Sequence, residues 1–548
     1  MSEVLEGVNV ACRHHIRLIT PENAELMDKE ASSTWGLSPF ALVEAAGRSC
    51  AAMLEKELTA SSNFSNCSGG PILVCAGTGN NAADALVMLR ILLENEFSNA
   101  AVLLSKFSDS AENTPYLSAL KAIKTMGVAV HAWNDEKTAG LIKDAHLIID
   151  GIAGTGIRGV LEGIPLEMLK AINARRAEDA SHCCVVSVDV PSGAGSSWKS
   201  GFPVIKADMT LAIEPQKTVI YTPALRPFCG KIIYTGYIFP YQLMERYGDA
   251  ELLSWEYMRK CIPVLHHDDY KYNRGVSEIY AGKTGTTGAA RIAAAGASAA
   301  GSGLIRLVLD DDIYTVIASS LGGIMAIPAS VKNEKFNPTA LLLGPGWGRG
   351  EERLTVLEQA LKAENSGTPL ILDADGIFLL KKLFPDILAE EPGHSRVVGS
   401  PVFHGRAILT PHAGELEILS GIPKEQLLSA PSLIAEIAKK INAVILFKSH
   451  VMVIASPSGK LAFIDGMDPS LGAGGSGDLL AGLCTGIAAR LYAAEKAGRS
   501  SFDPFAAAAA AGTLLVASSG RLGRQFYDPL KLADSAAALA GEAWLPPF

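Results

Sequence analysis

Cysteine is scarce in this chain and follows no pattern. The nine cysteines among 548 residues include no pair with the two-residue spacing of zinc sites. Adjacent Cys183 and Cys184 are not expected to bridge each other. This usage excludes a disulfide scaffold, gives no zinc signal and is typical of a reducing compartment. We therefore expect a cytoplasmic location.

Positive charge is also in short supply. Lys and Arg number 48 against 57 Asp and Glu, which leaves a formal net charge of −9. A protein whose main partner is nucleic acid needs surplus cations to neutralise phosphates, so we expect no nucleic-acid partner. A small phosphorylated ligand is compatible with this charge, because backbone N–H groups can bind it locally.

Long apolar runs are missing as well. The N-terminal stretch 1–18 has no apolar segment of the kind that a secretory signal needs. The apolar run 505–516 is short and mostly alanine, which predicts a buried helix and not a membrane span. We therefore expect no secretion and no membrane partner.

The chain does have the length for two cores and two series of short apolar strands. In the first half, strands alternate with amphipathic helices such as 83–94 and 116–125, which indicates βαβ units and a Rossmann-like three-layer sandwich with a parallel sheet. The predicted strands of this half are 72–76, 100–104, 128–132, 147–150, 185–189 and 209–213.

A second α/β series begins after a charged, weakly periodic stretch at 249–264, which we interpret as a linker. The predicted domains are therefore 1–248 and 265–548. A hairpin is predicted at 451–464, around the turn residues 457–460. The other predicted strands of the second half are 277–281, 304–309, 340–343, 370–373, 407–409 and 443–447.

The most informative motif is the stretch GAGGSGD at 472–478, which runs directly into an apolar helix-like segment. Its glycines allow several backbone N–H groups to point at one place, and the helix adds its positive dipole end. A glycine-rich cap is the simpler interpretation. The carboxylate of Asp478 on the rim favours an anion site, because it is placed to take a proton from a hydroxyl beside a bound phosphoryl group.

Three strand ends in the first half carry polar or glycine-rich loops. The loop GTGNNAADA (77–85) follows the first of these strands, DGIAGTGIRG (150–159) a second and DVPSG (189–193) a third. One carboxylate at a strand end is often only a helix cap. The carboxyl ends of parallel strands meet at one edge, however, so three such loops predict a shared crevice.

These loops, with EAAGR at 44–48, resemble the NAD(P)H-hydrate epimerase family over roughly residues 15–240. The resemblance implies that Asp189 binds the substrate and acts as the acid/base, and it places Lys217 in the family pattern. It implies potassium held by Asn81, Asp150 and Ser192. The implied substrate-binding residues are Asn80, Asn81, Asp84, Gly154, Thr155, Gly156, Arg158 and Asp189.

The first loop departs from that family, which usually has glycine where Ala82, Ala83 and Ala85 stand; Ala45 likewise replaces an asparagine. If Ala82 or Ala83 had positive φ, the loop would shift and its contact with a phosphate would weaken. The run 82–89 is helix-competent, and alanine is the better helix former. We therefore predict a helix from Ala82 onward and a retained epimerase.

The second half resembles the ADP/ATP-dependent NAD(P)H-hydrate dehydratases, which have a ribokinase-like fold. The motifs are KYNRG (271–275), TGAARIAAAG (287–296), GPGWG (344–348), LDADG (372–376), TPHAGE (410–415) and GAGGSGD. The resemblance implies that Asp478 is catalytic and that the hydrated nicotinamide is contacted by Ala289, Gly346, His412 and Asp478. The implied adenine-nucleotide contacts are Lys448, Ser449, His450, Val451, Met452, Gly475, Ser476 and Gly477, with Mg²⁺ as cofactor.

Both resemblances together, in this order, are those of fused NAD(P)H-hydrate repair enzymes. The implied substrates are NADHX, NADPHX and ADP or ATP, and we expect a homo-oligomer. Two alternatives stay open on the sequence. One is a ribokinase-type small-molecule kinase, which shares the Asp478 site but releases a stable phosphorylated product. The other makes the N-terminal half a binding module without activity.

Overall fold

The computed structural model describes residues 16–60, 70–94, 97, 99–106, 114–179, 182–236, 238–331, 337–388, 402–523 and 525–547. The stretch 1–15, for which the sequence predicts no signal segment, lies outside these residues. The chain divides into two compact units, Arg17–Ala250 and one that extends from Glu251 to Phe548.

The N-terminal unit alternates strands and helices. Its strands are β1 (Ile16–Ile19), β2 (Ile72–Ala76), β3 (Ala100–Leu104), β4 (Ala129–Ala132), β5 (Leu147–Gly151), β6 (Cys184–Val188), β7 (Met209–Ala212), β8 (Gln216–Lys217) and β9 (Lys231–Tyr234). Its helices are α1 (Pro21–Ser33), α2 (Pro39–Ala60), α3 (Asn80–Glu94), α4 (Pro115–Thr125), α5 (Asp135–Asp144), α6 (Gly163–Glu178) and α7 (Tyr241–Tyr247).

Seven of these strands form a parallel sheet in the order β4-β3-β2-β5-β6-β7-β9. Side chains alternate between two cores: Val74 packs in one, whereas Leu73 and Cys75 pack in the other. The sheet is therefore covered on both faces, as the alternating pattern predicted. The chain grows outward in opposite directions from the β2–β5 pair, so a crevice opens beyond the carboxyl ends of these two strands.

The C-terminal unit repeats the alternation on a larger sheet. Its strands are β10 (Ala250–Leu252), β11 (Val276–Tyr280), β12 (Leu304–Leu309), β13 (Met325–Pro328), β14 (Ala340–Leu343), β15 (Leu370–Leu372), β16 (Ala407–Leu409), β17 (Val444–Phe447), β18 (Val451–Ala455) and β19 (Leu461–Asp465). Its helices are α8 (Trp255–Cys261), α9 (Thr287–Ala299), α10 (Asp311–Ala318), α11 (Glu352–Asn365), α12 (Asp375–Leu383), α13 (Ala413–Ser420), α14 (Lys424–Ser429), α15 (Pro431–Ile441), α16 (Ser476–Lys496), α17 (Pro504–Leu522) and α18 (Pro529–Trp544).

The strands run in the order β13-β12-β11-β14-β15-β16-β17-β18-β19, parallel up to β17 and antiparallel in the last two pairs. The predicted hairpin is thus confirmed as β18–β19. Because β11, β14, β15, β16 and β17 are parallel neighbours, the loops that follow them share one edge. Those loops carry most of the motifs of the second half.

The glycine loop is held in place by close contact between α9 and α16. A Cβ atom built on Gly482 would lie 2.1 Å from the Ala293 carbonyl oxygen, and one on Gly296 would lie 2.5 Å from that of Leu479. Only glycine allows the two backbones to approach so closely. Residues 479–493 of α16 are buried throughout, so the helix that begins at the anion site is part of the core.

Among the described residues, α17 is long and apolar enough to cross a membrane, yet 67% of its apolar window is buried within the protein. The run 505–516 is therefore a core helix, as predicted.

The segment 249–264, predicted as a linker, is folded. It contains β10 and α8, and the side chains of Leu253, Met258 and Ile262 are buried in the core of the C-terminal unit. Trp255 also meets the Trp544 ring edge-on, with centroids 5.4 Å apart. The charged residues of this short helix mask its apolar side in the sequence pattern, which is why the pattern predicted a linker. The independence of the two units as domains stays a prediction.

We expect residues 251–548 to unfold cooperatively, and residues 262–548 to be less stable by roughly 3–6 kcal/mol. The shorter piece loses the burial of Leu253 and Met258, each worth about 1.5–3 kcal/mol. Urea unfolding of the two pieces measures the difference. Equal stabilities would show that β10 and α8 do not belong to this core, and aggregation of the longer piece would argue against an independent domain.

Candidate functional site

A cavity of about 650 Å³ opens beyond the carboxyl ends of β2, β5 and β6 in the N-terminal unit. The three loops singled out in the sequence converge on it, as predicted. Gly77 allows the first two loops to touch, because a Cβ atom there would lie 2.0 Å from the Ile152 carbonyl oxygen. The predicted residues that line the cavity are Asn80, Asn81, Asp84, Gly154, Thr155, Gly156, Arg158 and Asp189.

Asp189 follows β6 directly and has φ +64°, a conformation that few residues other than glycine adopt. Strained backbone of this kind occurs where the surrounding structure fixes a functional side chain. The Lys217 ammonium, at the end of β8, lies 2.7 Å from Asp189 Oδ1. Both side chains are mostly buried, so the ion pair is fixed at the cavity wall.

Asp84 projects from the first turns of α3 beside this ion pair and is only 8% exposed. Its Oδ1 atom is buried and has no hydrogen-bond partner among the described residues. Burial, the nearby negative charge of Asp189 and that of Asp28 raise the pKa of Asp84 well above its usual range, although Lys217 acts in the opposite direction. The cavity thus holds one carboxylate paired with a lysine and, beside it, a carboxyl group whose pKa is raised mainly by burial.

Of the predicted potassium ligands, Asn81 lines the cavity, whereas Asp150 and Ser192 are completely buried. Ser192 donates to Asp150 from its N–H at 2.9 Å and from its hydroxyl at 2.5 Å. The two side-chain polar atoms of Asn81 are buried and make no hydrogen bond to any described residue. An amide oxygen without a partner near a buried carboxylate fits a monovalent cation. No cluster of three His, Cys, Asp or Glu suited to a metal occurs in the described part of the chain.

The alanines that replace the family's glycines lie inside α3, as predicted. Ala82, Ala83 and Ala85 are buried helical residues, and none has positive φ. Gly151 leaves room for the methyl group of Ala85, because a Cβ atom on Gly151 would lie 2.7 Å from Ala85 Cβ. Ala85 and Gly151 therefore share one space between two touching segments.

In the C-terminal unit, the GAGGSGD segment begins α16, with Gly475 at φ +96° as its N-cap. Asp478 lies in the first turn of this helix. Burial, followed by the negative charge of Asp373, raises the pKa of Asp478 to about 6, although Lys448 lowers it. A base with this pKa is deprotonated at neutral pH and can still take a proton readily.

Lys448 follows β17 and lies beside the glycine loop. Its ammonium is 2.5 Å from Asp373 Oδ1 and 3.7 Å from Glu415 Oε2. Burial alone would lower the pKa of Lys448, but Asp373, Glu415 and Asp478 outweigh it and raise that pKa. The edge of the sheet thus holds one cation among three carboxylates.

The predicted nicotinamide-contacting residues lie on the same edge. His412 is the N-cap of α13, is 59% exposed, and pairs with Lys448 in a parallel β-bridge. Gly346 has φ +54°, and a Cβ atom on it would lie 2.9 Å from Ala289 Cβ. Ala289 and Gly346 are therefore neighbours, and His412 is a neighbour of the lysine beside Asp478.

Of the predicted nucleotide-contacting residues, Gly475, Ser476 and Gly477 form the start of α16, and the other five divide into two groups. Lys448, Ser449 and His450 form the turn between β17 and β18, next to Gly477. Val451 and Met452 lie inside β18, with side chains that are 0% and 6% exposed and belong to the core. These two residues can offer a ligand only their backbone.

Sequence reasoning did not select Asp373, Glu415 or Asp28. The first two stand in the quoted motifs, but only the fold shows that both face Lys448. Asp28 lines the N-terminal cavity from α1, and its pKa is raised by burial. An acidic residue in the middle of a short helix gave no signal of its own.

We expect Gly151→Ala to destabilise the protein by about 1–3 kcal/mol, because the added methyl group meets Ala85 and the Asn81 carbonyl oxygen. Ala85→Gly in the same chain should recover part of this loss, although Ala85→Gly alone costs about 1 kcal/mol of helix propensity. Chemical unfolding of the four proteins gives the coupling energy. Strictly additive losses would show that residues 85 and 151 do not share the same space.

Comparison with known proteins gives one consistent result for both units. The family model described as NAD(P)H-hydrate dehydratase matches residues 278–536, and that described as YjeF-related protein N-terminus matches residues 39–219. A solved ADP/ATP-dependent NAD(P)H-hydrate dehydratase from Bacillus subtilis, co-crystallised with ATP and Mg²⁺, is similar at 23% identity and a TM-score of 0.43, over 53% of this chain and 98% of that one.

Full-length relatives carry both segments. A bifunctional NAD(P)H-hydrate repair enzyme of Salinibacter ruber is 26% identical over 515 residues, which cover 86% of this chain and 88% of that protein. The corresponding enzyme of Methanopyrus kandleri is 27% identical over 515 residues, which cover 91% of each protein. With both family segments in the same order, the chain belongs to the bifunctional NAD(P)H-hydrate repair enzymes.

Proposed function

We propose that this chain restores hydrated NAD(P)H in two steps: the N-terminal unit interconverts the epimers of the hydrate, and the C-terminal unit dehydrates the S form at the expense of ADP or ATP. One observation supports the second step above all. A carboxylate whose pKa is raised to about 6 stands in the first turn of a buried helix that begins in a glycine loop. Such a site can bind a phosphoryl group and deprotonate a hydroxyl together.

The dehydration uses the hydrate's hydroxyl as a phosphoryl acceptor. Asp478 takes the hydroxyl proton, and the oxygen attacks the terminal phosphorus of the nucleotide. The bond from that phosphorus to the bridging phosphate oxygen breaks at the same time. The backbone N–H groups of Gly475 and Gly477 are proposed to face the charge that develops. Phosphate then leaves as the ring nitrogen lone pair moves into the ring, and loss of a proton from the neighbouring carbon restores NAD(P)H.

Mg²⁺ that accompanies the nucleotide would supply positive charge to its phosphates. The residues of the chain bind and orient the reactants. Lys448 stands beside Gly477, and Ser449 and His450 continue the same turn toward the nucleotide. Ala289, Gly346 and His412 are proposed to hold the hydrated ring against Asp478.

The epimerisation belongs to the N-terminal cavity. Asp189, paired with Lys217, is the proposed acid/base. Asn80, Asp84 and the 154–158 segment line the same space and are proposed to hold the dinucleotide. Potassium, held by Asn81, Asp150 and Ser192, would order the loops behind the cavity. We also propose NADHX and NADPHX as substrates, a cytoplasmic location and a homo-oligomeric state.

We expect Asp478→Asn to lower dehydration about 10²–10⁴-fold without unfolding the protein, because the base is lost while the shape is kept. In the unchanged protein, kcat/KM should fall about tenfold per pH unit below about pH 6 and be level above about pH 7, because only the deprotonated carboxylate accepts the proton. Absorbance of the reduced nicotinamide measures both. Near-normal turnover by Asp478→Asn would contradict the assigned role.

A mixture of both hydrate epimers tests the complete proposal. With ADP or ATP, the full chain should consume the mixture in one continuous phase and release one phosphate for each NADH restored. Asp189→Asn should produce a fast phase for half of the substrate, followed by a slow phase at the rate of spontaneous epimerisation. The same two phases in the unchanged protein would make the N-terminal unit a binding module. A stable phosphorylated product would favour a kinase.

A further inference from the structure

Asp373, at the end of β15, is a buried carboxylate to which the proposed reaction assigns no role. Its residue is 1% exposed, and two glycines make room for its backbone. A Cβ atom on Gly344 would lie 1.8 Å from the Asp373 carbonyl oxygen, and one on Gly376 would lie 2.4 Å from that of Leu343. The next residue, Ala374, has φ +44°. Such strain in a non-glycine residue persists only where the surrounding structure fixes it.

The side chain of Asp373 is fixed as firmly as its backbone. The Thr410 hydroxyl, at the end of β16, donates to Asp373 Oδ1 at 2.8 Å, and the Lys448 ammonium donates to the same oxygen at 2.5 Å. The ammonium also lies 3.4 Å from the position that a Cβ atom on Gly477 would occupy. Lys448 therefore joins the buried carboxylate to the glycine loop.

We propose that Asp373 is a positioning residue of the dehydratase site: it holds the Lys448 ammonium against residues 475–477, so that a fixed positive charge faces the phosphoryl group beside Asp478. A free lysine side chain would have to be ordered at each turnover, at the expense of its rotamer entropy. The ion pair with Asp373 instead orders the Lys448 side chain when the protein folds. This inference rests on the proposed dehydration and names a further residue that supports it.

The same arrangement connects Asp373 to the proton-accepting group. Asp478 is faced by Asp373 from the end of β15, by Glu415 from the start of α13 and by Lys448 from the end of β17. His412 stands beside Glu415, and the Cys484 thiol lies further along α16. The negative charges of Asp373 and Glu415 raise the pKa of Asp478, and Lys448 lowers it. Loss of the Asp373 charge, or movement of Lys448 toward Asp478, therefore lowers the pKa of Asp478.

The test is Asp373→Asn in the full chain, with S-form NADH hydrate, Mg²⁺ and ADP, and with ATP in parallel. We expect kcat/KM for the nucleotide to fall about 10²-fold, the loss typical of a displaced catalytic group. The acid limb of the pH profile should move to lower pH, and ADP should bind more weakly in calorimetry without the hydrate. Glu415→Gln should move the limb in the same direction and decides the question if Asp373→Asn does not fold.

Two matched variants separate charge from structure. Thr410→Val removes the hydroxyl that donates to Asp373 but keeps the carboxylate, so the nucleotide KM should rise while the acid limb stays in place. Asp375→Asn removes a carboxylate two residues away that bonds the Gly348 N–H and Arg349, and its acid limb should also stay. An unmoved limb in Asp373→Asn overturns the proposal. A variant that differs only in requiring more Mg²⁺ would also overturn the proposal, because Asp373 would then be a metal-binding group. Inactivity of the unchanged protein would instead refute the proposed function.

Discussion

Each unit buries a carboxylate at the end of a parallel strand and holds it with one lysine. In the N-terminal unit, Lys217 holds Asp189; in the C-terminal unit, Lys448 holds Asp373. A carboxylate that is removed from water is costly unless it is paired and hydrogen-bonded. Such a pair also acts on the pKa of its neighbours, in addition to burial. Asp84 beside the first pair and Asp478 beside the second both have raised pKa values, because they are buried near a negative charge.

In both units, backbones approach very closely near the strand ends. Gly77 lets the loops after β2 and β5 touch, and Gly344 lets the loop after β14 touch that after β15. In the same way, Gly296 and Gly482 bring α9 against α16, so that the glycine loop begins on a rigid core helix. Ala85 and Gly151 show the same constraint, because the glycine leaves room for the alanine methyl group.

The two proposed reactions fit together chemically. A hydrated nicotinamide ring exists as two epimers, and a site that holds the ring against Asp478 accepts the hydroxyl on one face only. A second site that inverts the same carbon therefore makes the whole mixture available for dehydration. Asp189 at the N-terminal cavity and Asp478 at the C-terminal edge are the proposed acid/base groups; burial raises the pKa of Asp478, and Lys448 lowers it.

Much of this protein follows from its sequence alone. The alternation of apolar strands and helices predicts two largely parallel sheets, and the loops at their strand ends predict where ligands bind, because such ends share one edge. The helix-competent run 82–89 was sufficient to predict that Ala82, Ala83 and Ala85 are helical, although α3 begins two residues earlier, at Asn80. The helix at 255–261 escaped prediction, because three buried side chains in a short charged segment have meaning only against the core that covers them. Only the tertiary structure could show that Asp373, Thr410 and Lys448, which follow three separate strands, meet at one carboxylate oxygen. Sequence patterns record local periodicity, whereas the pairing of buried charges depends on which strand ends become neighbours.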